Sequence, residues 1–119
     1  MEIQNEASVE VKKSVQWWAK NISNASHQQI AIFMDYLEKS IYLRILNHWH
    51  LSDPSRGSGY RAIINDFHVD PLLKEACRIS NISFLNLPGQ CVMILSPGVV
   101  RVRSLLNEKD EELVYLKKN

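Results

Sequence analysis

The fold turns on the stretch Cys91-Val92-Met93-Ile94-Leu95-Ser96-Pro97-Gly98-Val99-Val100-Arg101-Val102-Arg103. Its first five residues form a continuous apolar run, as in a mostly buried strand, and Ser96-Pro97-Gly98 supplies turn chemistry. Val99 to Arg103 then alternates, placing Val100 and Val102 on one side and Arg101 and Arg103 on the other, which is the period of a half-buried strand. Downstream, Asn107-Glu108-Lys109-Asp110 turns the chain again and Glu112 to Leu116 reads as the last strand. Upstream, Tyr60-Arg61-Ala62-Ile63-Ile64 reads as the first strand.

The residues before this strand set follow a helical period. Ala7, Val11, Val15, Trp18 and Ile22 recur every three or four residues, giving one helix from Ile3 with a single apolar face. Ser23-Asn24-Ala25-Ser26 breaks the pattern, and Ser26 followed by Gln29 has capping-box spacing for a second helix with the stripe Ile30, Phe33, Met34, Leu37, Ile41 and Ile45. So short a link predicts antiparallel packing of the two helices. Asp70-Pro71 offers an N-cap with proline at the first helical position, and Leu72, Leu73, Ala76, Cys77 and Ile79 give a short third helix its apolar face, ended by Ser80-Asn81. Ser83 to Asn86 reads as one further turn. Helices first, then strands interrupted by one helix, predict an α+β domain with a small antiparallel sheet over residues 1–119.

Composition sets the outer bounds. A chain of 119 residues, 45% hydrophobic and with four Gly and four Pro, is an ordinary single-domain globular sequence. A chain of this size buries about two-thirds of its unfolded surface, so it needs neither disulfide nor metal to fold. Lys and Arg number 14 against 13 acidic residues, and a formal charge of +1 cannot sustain the broad positive field of a general nucleic-acid coat. No sequence-specific nucleic-acid contact is expected. The longest apolar runs, Ile30 to Met34 and Cys91 to Leu95, fall far short of a membrane span. The start, Met1 to Glu6, has neither a basic nor an apolar signal region, so an intracellular location is the expectation. Cys77 and Cys91 lack CxxC spacing and lie in apolar contexts, which predicts buried free thiols.

Three features could carry chemistry, and each is incomplete. His48-Trp49-His50 places two imidazoles two residues apart, but no third ligand stands at metal spacing. Gly57-Ser58-Gly59 lacks the frames of phosphate-binding loops and leads into an expected strand rather than a helix. Ser52, Ser55 and Ser58 lie near histidines without a GxSxG elbow or a paired acid. The sequence therefore predicts no enzyme, no cofactor and no metal. Trp49, beside a turn cluster, is read chiefly as a core plug at the end of helix two. Arg56 and Arg61 are read as solvated loop cations, and Tyr60 as either a solvent-facing anchor or an internal hydrogen-bond donor.

The run from Ile45 to Ile63 resembles the first signature box of the BTG/Tob anti-proliferative family, through His48, Trp49, Pro54, Arg56, Gly57, Gly59, Tyr60, Arg61 and Ile63. Ile45 and Ala62 depart from that pattern, where the family usually has Tyr and Cys. Asp70-Pro71-Leu72 looks like the family's following DP motif. In the second box Leu87-Pro88, Pro97, Val100 and Arg103 fit, whereas Ile94, Ser96 and Val99 stand where the family carries Trp, Asp and Glu. The stretch between Asp70 and Leu87 is also about one helical turn shorter than usual.

The resemblance implies two long antiparallel helices over a small antiparallel sheet. It also implies a non-enzymatic adaptor, cytoplasmic and nuclear, that binds the catalytic deadenylase subunit of the mRNA-decay complex, regulates mRNA deadenylation and so restrains the cell cycle. His48, Trp49, Pro54, Gly57, Gly59 and Arg61 would be the structural box. Carried over, Tyr60 and Asp70 match contact positions, and Ile94 and Ser96 occupy those of an aromatic anchor and an acid. Some relatives act through C-terminal tails; no tail follows Asn119, so no such contact is expected. The competing expectation is a self-associating scaffold of an RNA-protein particle that has lost deadenylase binding. The Trp17-Trp18 pair points to it, because neighbouring helix positions lie about 100° apart and one ring would be left exposed as an oligomer contact.

Overall fold

A computed structural model describes the backbone of residues 2–107 and 109–118, with side-chain surroundings from Glu6 onward. It has the α+β architecture expected: helices α1 (Glu2–Lys20), α2 (His27–Ile45) and α3 (Pro71–Ser80), with strands β1 (Ala62–Asn65), β2 (Cys91–Ser96), β3 (Val99–Ser104) and β4 (Glu111–Leu116). The strands form one antiparallel sheet in the order β1-β2-β3-β4. Of the turn expected at Asn107–Asp110, Glu108 lies outside the described residues.

Local chemistry explains the boundaries. Ser26 accepts from the Gln29 amide at 3.1 Å while the Gln29 side chain accepts from the Ser26 amide at 2.9 Å, closing the capping box that opens α2. Asp70 caps α3 by accepting from the Leu72 amide at 2.9 Å, and Asn81 ends it in the left-handed conformation at φ 57°. A second single turn at Phe84–Asn86 follows, as expected.

Helix α1 packs against α2 on one side and against β2, β3 and β4 on the other. This double coverage corrects the expectation for the tryptophans. Trp17 and Trp18 are both buried, with ring centroids 5.0 Å apart in an edge-to-face pair at 88°. A helix covered from two sides buries more than one stripe, so neither ring is left as an oligomer contact. Glu10, also buried on α1, accepts from the Gly98 amide at 2.9 Å and pins the β2–β3 turn to the helix. Gly98 sits at φ +84°, a conformation that favours glycine.

Two further expectations are corrected. Ile79 is exposed, because the buried face of α3 centres on Leu73, Ala76, Cys77 and Ser80 and Ile79 lies about 110° away from it. The Ser80 hydroxyl at the buried position donates to the Ala76 carbonyl at 2.6 Å. The first strand begins at Ala62 rather than Tyr60, since Ser58–Arg61 coil into a 3₁₀ turn.

Cys77 and Cys91 are free and buried, and burial pushes each thiol up from its ordinary 9.0 to about 11. Both thiols are therefore expected to resist thiol-specific labelling at pH 8 until the protein unfolds; prompt reaction of the native protein with Ellman's reagent contradicts this. The neutral thiol is the favoured form in the fold, so this contribution to stability is complete below pH 9 and lost as pH rises toward 11.

Candidate functional site

The residues singled out in the sequence converge on the end of the sheet where α2 gives way to β1. His48 and Tyr60 stack face to face, with ring centroids 3.6 Å apart and planes within 5°. Tyr60 stays 58% exposed, so its outer face is open to solvent. Gly57 allows the stack: it lies at φ +75°, and a Cβ there would meet the His48 Cβ at 3.3 Å. Gly59 has open space around its Cα, and nothing in the structure explains a need for glycine there.

Beneath this stack, Arg61 is wholly buried, which corrects its reading as a solvated loop cation. Its guanidinium donates to the His48 carbonyl at 2.9 Å, the Arg56 carbonyl at 3.0 Å and the Ser96 hydroxyl at 2.9 Å, and to the carbonyls of Pro54 and Leu95. Burial lowers its pKa below the usual guanidinium value. One side chain thus fastens the glycine-rich loop to the end of β2, joining the two stretches that carry the resemblance. Trp49 is buried as expected, and the Arg61 guanidinium lies 5.9 Å from its ring centroid. Arg56, by contrast, stays exposed.

Ile94 and Ser96 sit half-buried on the outer face of the sheet, the face turned away from α1. They line a shallow cleft of about 90 Å³ with Val92, Arg101, Arg103 and Glu111. Arg101 stands opposite Ile94, and Arg103 opposite Val92. Glu111 approaches both arginines at 3.5 and 3.8 Å, exposed pairs of small energetic weight. The cleft was legible in part: strand alternation places residues 92, 94 and 96 on one face, but only the register reveals the arginine rim.

Asp70 is not on this open face. Its carboxylate is buried and fully engaged, taking Arg44 at 2.6 and 2.9 Å, the Leu72 amide at 2.9 Å and the Ile64 amide at 3.3 Å. Arg44 also donates to the Ala62 carbonyl at 3.1 Å, so the pair braces β1 against α2 and α3. Sequence reasoning missed Arg44, although it stands three residues after Ile41 and seven after Leu37 on α2, within the arc of the apolar stripe. Asp70→Ala is expected to cost ~2–3 kcal/mol, the sum of a lost cap and a broken, partly buried ion pair. Urea denaturation tests it; a loss under ~0.5 kcal/mol would contradict a bracing role.

The remaining chemical candidates do not assemble. Gly57-Ser58-Gly59 opens a four-residue 3₁₀ turn, neither the expected strand nor a helix able to bind phosphate. Ser55 donates to Asp53 at 3.2 Å in an exposed loop, and Ser52 and Ser58 are exposed. Among the described residues no three His, Cys, Asp or Glu side chains gather as a metal site, and no helix is long and apolar enough to cross a membrane.

A buried arginine clasps the glycine loop to a small antiparallel sheet that lies under two long helices, one α+β domain. The chain belongs to the BTG family, whose profile matches residues 7–115. It is 34% identical over 88 residues to human protein BTG4, covering 71% of this chain and 40% of that protein. A BTG family protein of Dictyostelium discoideum is 36% identical over 94 residues, covering 73% of this chain and 22% of the relative. The chain thus spans well under half the length of these relatives. Its fold matches the BTG/Tob domain of FOG-3 from C. elegans with a TM-score of 0.78 at 17% identity, over 92% of this chain and 82% of that one.

Proposed function

We propose that the chain is a non-enzymatic, anti-proliferative adaptor that binds the catalytic deadenylase subunit of the mRNA-decay complex, acting in cytoplasm and nucleus to regulate mRNA deadenylation. The observation that carries this reading is the Arg61 clasp, which brings the exposed Tyr60 ring and the Ile94–Ser96 cleft into one neighbourhood. An open aromatic next to an apolar cleft with a polar rim is the anatomy of a protein-binding surface. Asp70 serves this face from behind, by bracing β1.

Ile94 and Ser96 weaken the face relative to the family's aromatic anchor and acid. Losing a central aromatic at an interface commonly costs about 2 kcal/mol, roughly thirtyfold in dissociation constant, and isoleucine recovers only part of it. Ile94→Trp with Ser96→Asp is therefore expected to tighten binding to a purified deadenylase subunit about tenfold or more. The new carboxylate would also lie within reach of Arg61, and Tyr60→Ala should abolish the binding that exists. Calorimetric titration provides the measurement. Nanomolar binding by the parent that ignores both changes assigns the grip to another surface.

A further inference from the structure

Strand β4 is an edge strand: one side of its backbone pairs with β3, and among the described residues no strand covers the other. Free edges of this kind recruit further strands unless something blocks them. β4 contains no proline and no lysine, and Leu113 and Leu116 stand 52% and 57% exposed along it. Its sequence, continued by two residues, reads Glu111-Glu112-Leu113-Val114-Tyr115-Leu116-Lys117-Lys118: two acids, four apolar residues, two bases.

We infer that β4 pairs antiparallel with β4 of a second copy of this chain, about a two-fold axis between Val114 and Tyr115. In that register Glu111 faces Lys118, Glu112 faces Lys117, Leu113 faces Leu116 and Val114 faces Tyr115, and each pair occurs twice by symmetry. Both charge blocks meet their opposites and the apolar centre meets itself.

The backbone permits this register for a particular reason. Facing residues on antiparallel strands must present amides in the same sense and side chains to the same face. Leu113 and Leu116 are three positions apart, so a regular strand of period two would set them in opposite senses. The β3–β4 ladder, however, slips by one residue opposite Val100 and Arg101. Ser104 donates to the Asp110 carbonyl at 2.9 Å and Lys117 to the Gly98 carbonyl at 2.7 Å. Counting along the register from these two bonds, Glu112 and Tyr115 turn their amides toward β3, and Glu111, Leu113 and Leu116 turn theirs outward. The side chains agree. Leu113 and Leu116 stand opposite Arg101 and Val99 on the outer face, whereas Val114 and Tyr115 pack toward the core. The bulge therefore supplies the one-residue shift that the self-complementary sequence requires, and two four-stranded sheets would join into one of eight.

A strand-to-strand contact this short is smaller than a standard interface, so the dissociation constant is expected on the order of 10–100 µM. Sedimentation velocity on the 119-residue chain, without any partner protein, provides the test. The parent should sediment as a dimer at several hundred micromolar and as a monomer on dilution. Reversing the acids (Glu111→Lys with Glu112→Lys) or the bases (Lys117→Glu with Lys118→Glu) should weaken self-association at least tenfold. Mixing the two variants should restore dimers, because each block again meets its opposite. That restoration separates a lost interface from a misfolded variant. A parent monomeric at about 500 µM overturns the proposal, as does self-association indifferent to either reversal, or a mixture that stays monomeric. Deadenylase binding plays no part in the readout, so either reading can fail alone.

Discussion

Arg61→Met is expected to destabilise the fold by ~4 kcal/mol, a large share of what a domain this size possesses. The loss is of donors rather than of volume. The guanidinium serves four backbone carbonyls and one hydroxyl, and methionine fills much of the space while donating to none. The Pro54 and Arg56 carbonyls lie in an exposed loop and can turn to water, so their share of the loss is small. The His48 and Leu95 carbonyls flank buried residues and should retain most of the desolvation cost. Arg61→Lys should recover less than half, because three donors on a single nitrogen cannot span the loop and β2 together. Chemical denaturation measures both variants. A methionine variant within ~1 kcal/mol of the parent would show that the loop is not held by this side chain.

The clasp also shows where sequence reasoning stops. Short-range signals were legible: the Ser26–Gln29 capping box, the Asp70-Pro71 helix start, and the alternation from Val99 to Arg103 each depend on neighbours within four residues. What failed depends on partners far along the chain. Trp17 became buried because the sheet covers a second face of α1. Arg61 became buried because acceptors from positions 48 to 96 surround it, and no local pattern distinguishes such an arginine from a solvated one. Tyr60 reads as strand on β-propensity, whereas Gly57 in the left-handed region, with the Tyr60 amide donating to its carbonyl at 3.0 Å, starts a turn. The exposed part of the candidate site was more legible than its support. Tyr60, Ile94 and Ser96 follow from the family boxes, but the Arg44–Asp70 brace and the arginine rim required the tertiary arrangement.

Trp49 lies under the same clasp, and its truncation is the second large effect expected. The ring is 6% exposed, closes the core where α2 ends, and lies beside the Arg61 guanidinium. Trp49→Ala should cost ~3–5 kcal/mol through lost burial and the cavity left behind. In a domain of this length that corresponds to a melting temperature lower by roughly 15–25 °C. Trp49→Phe separates the components of this loss. Among the described residues the buried Trp49 indole N–H has no hydrogen-bond partner, so phenylalanine removes an unsatisfied donor together with one ring of volume. Its cost should be less than half that of alanine. Because the indole and the guanidinium share one contact, the Trp49→Ala and Arg61→Met losses should fall short of additivity by ~1 kcal/mol or more in the double variant. Full additivity would mean that each supports the loop independently; a Trp49→Ala protein melting within a few degrees of the parent would remove the tryptophan from the core altogether.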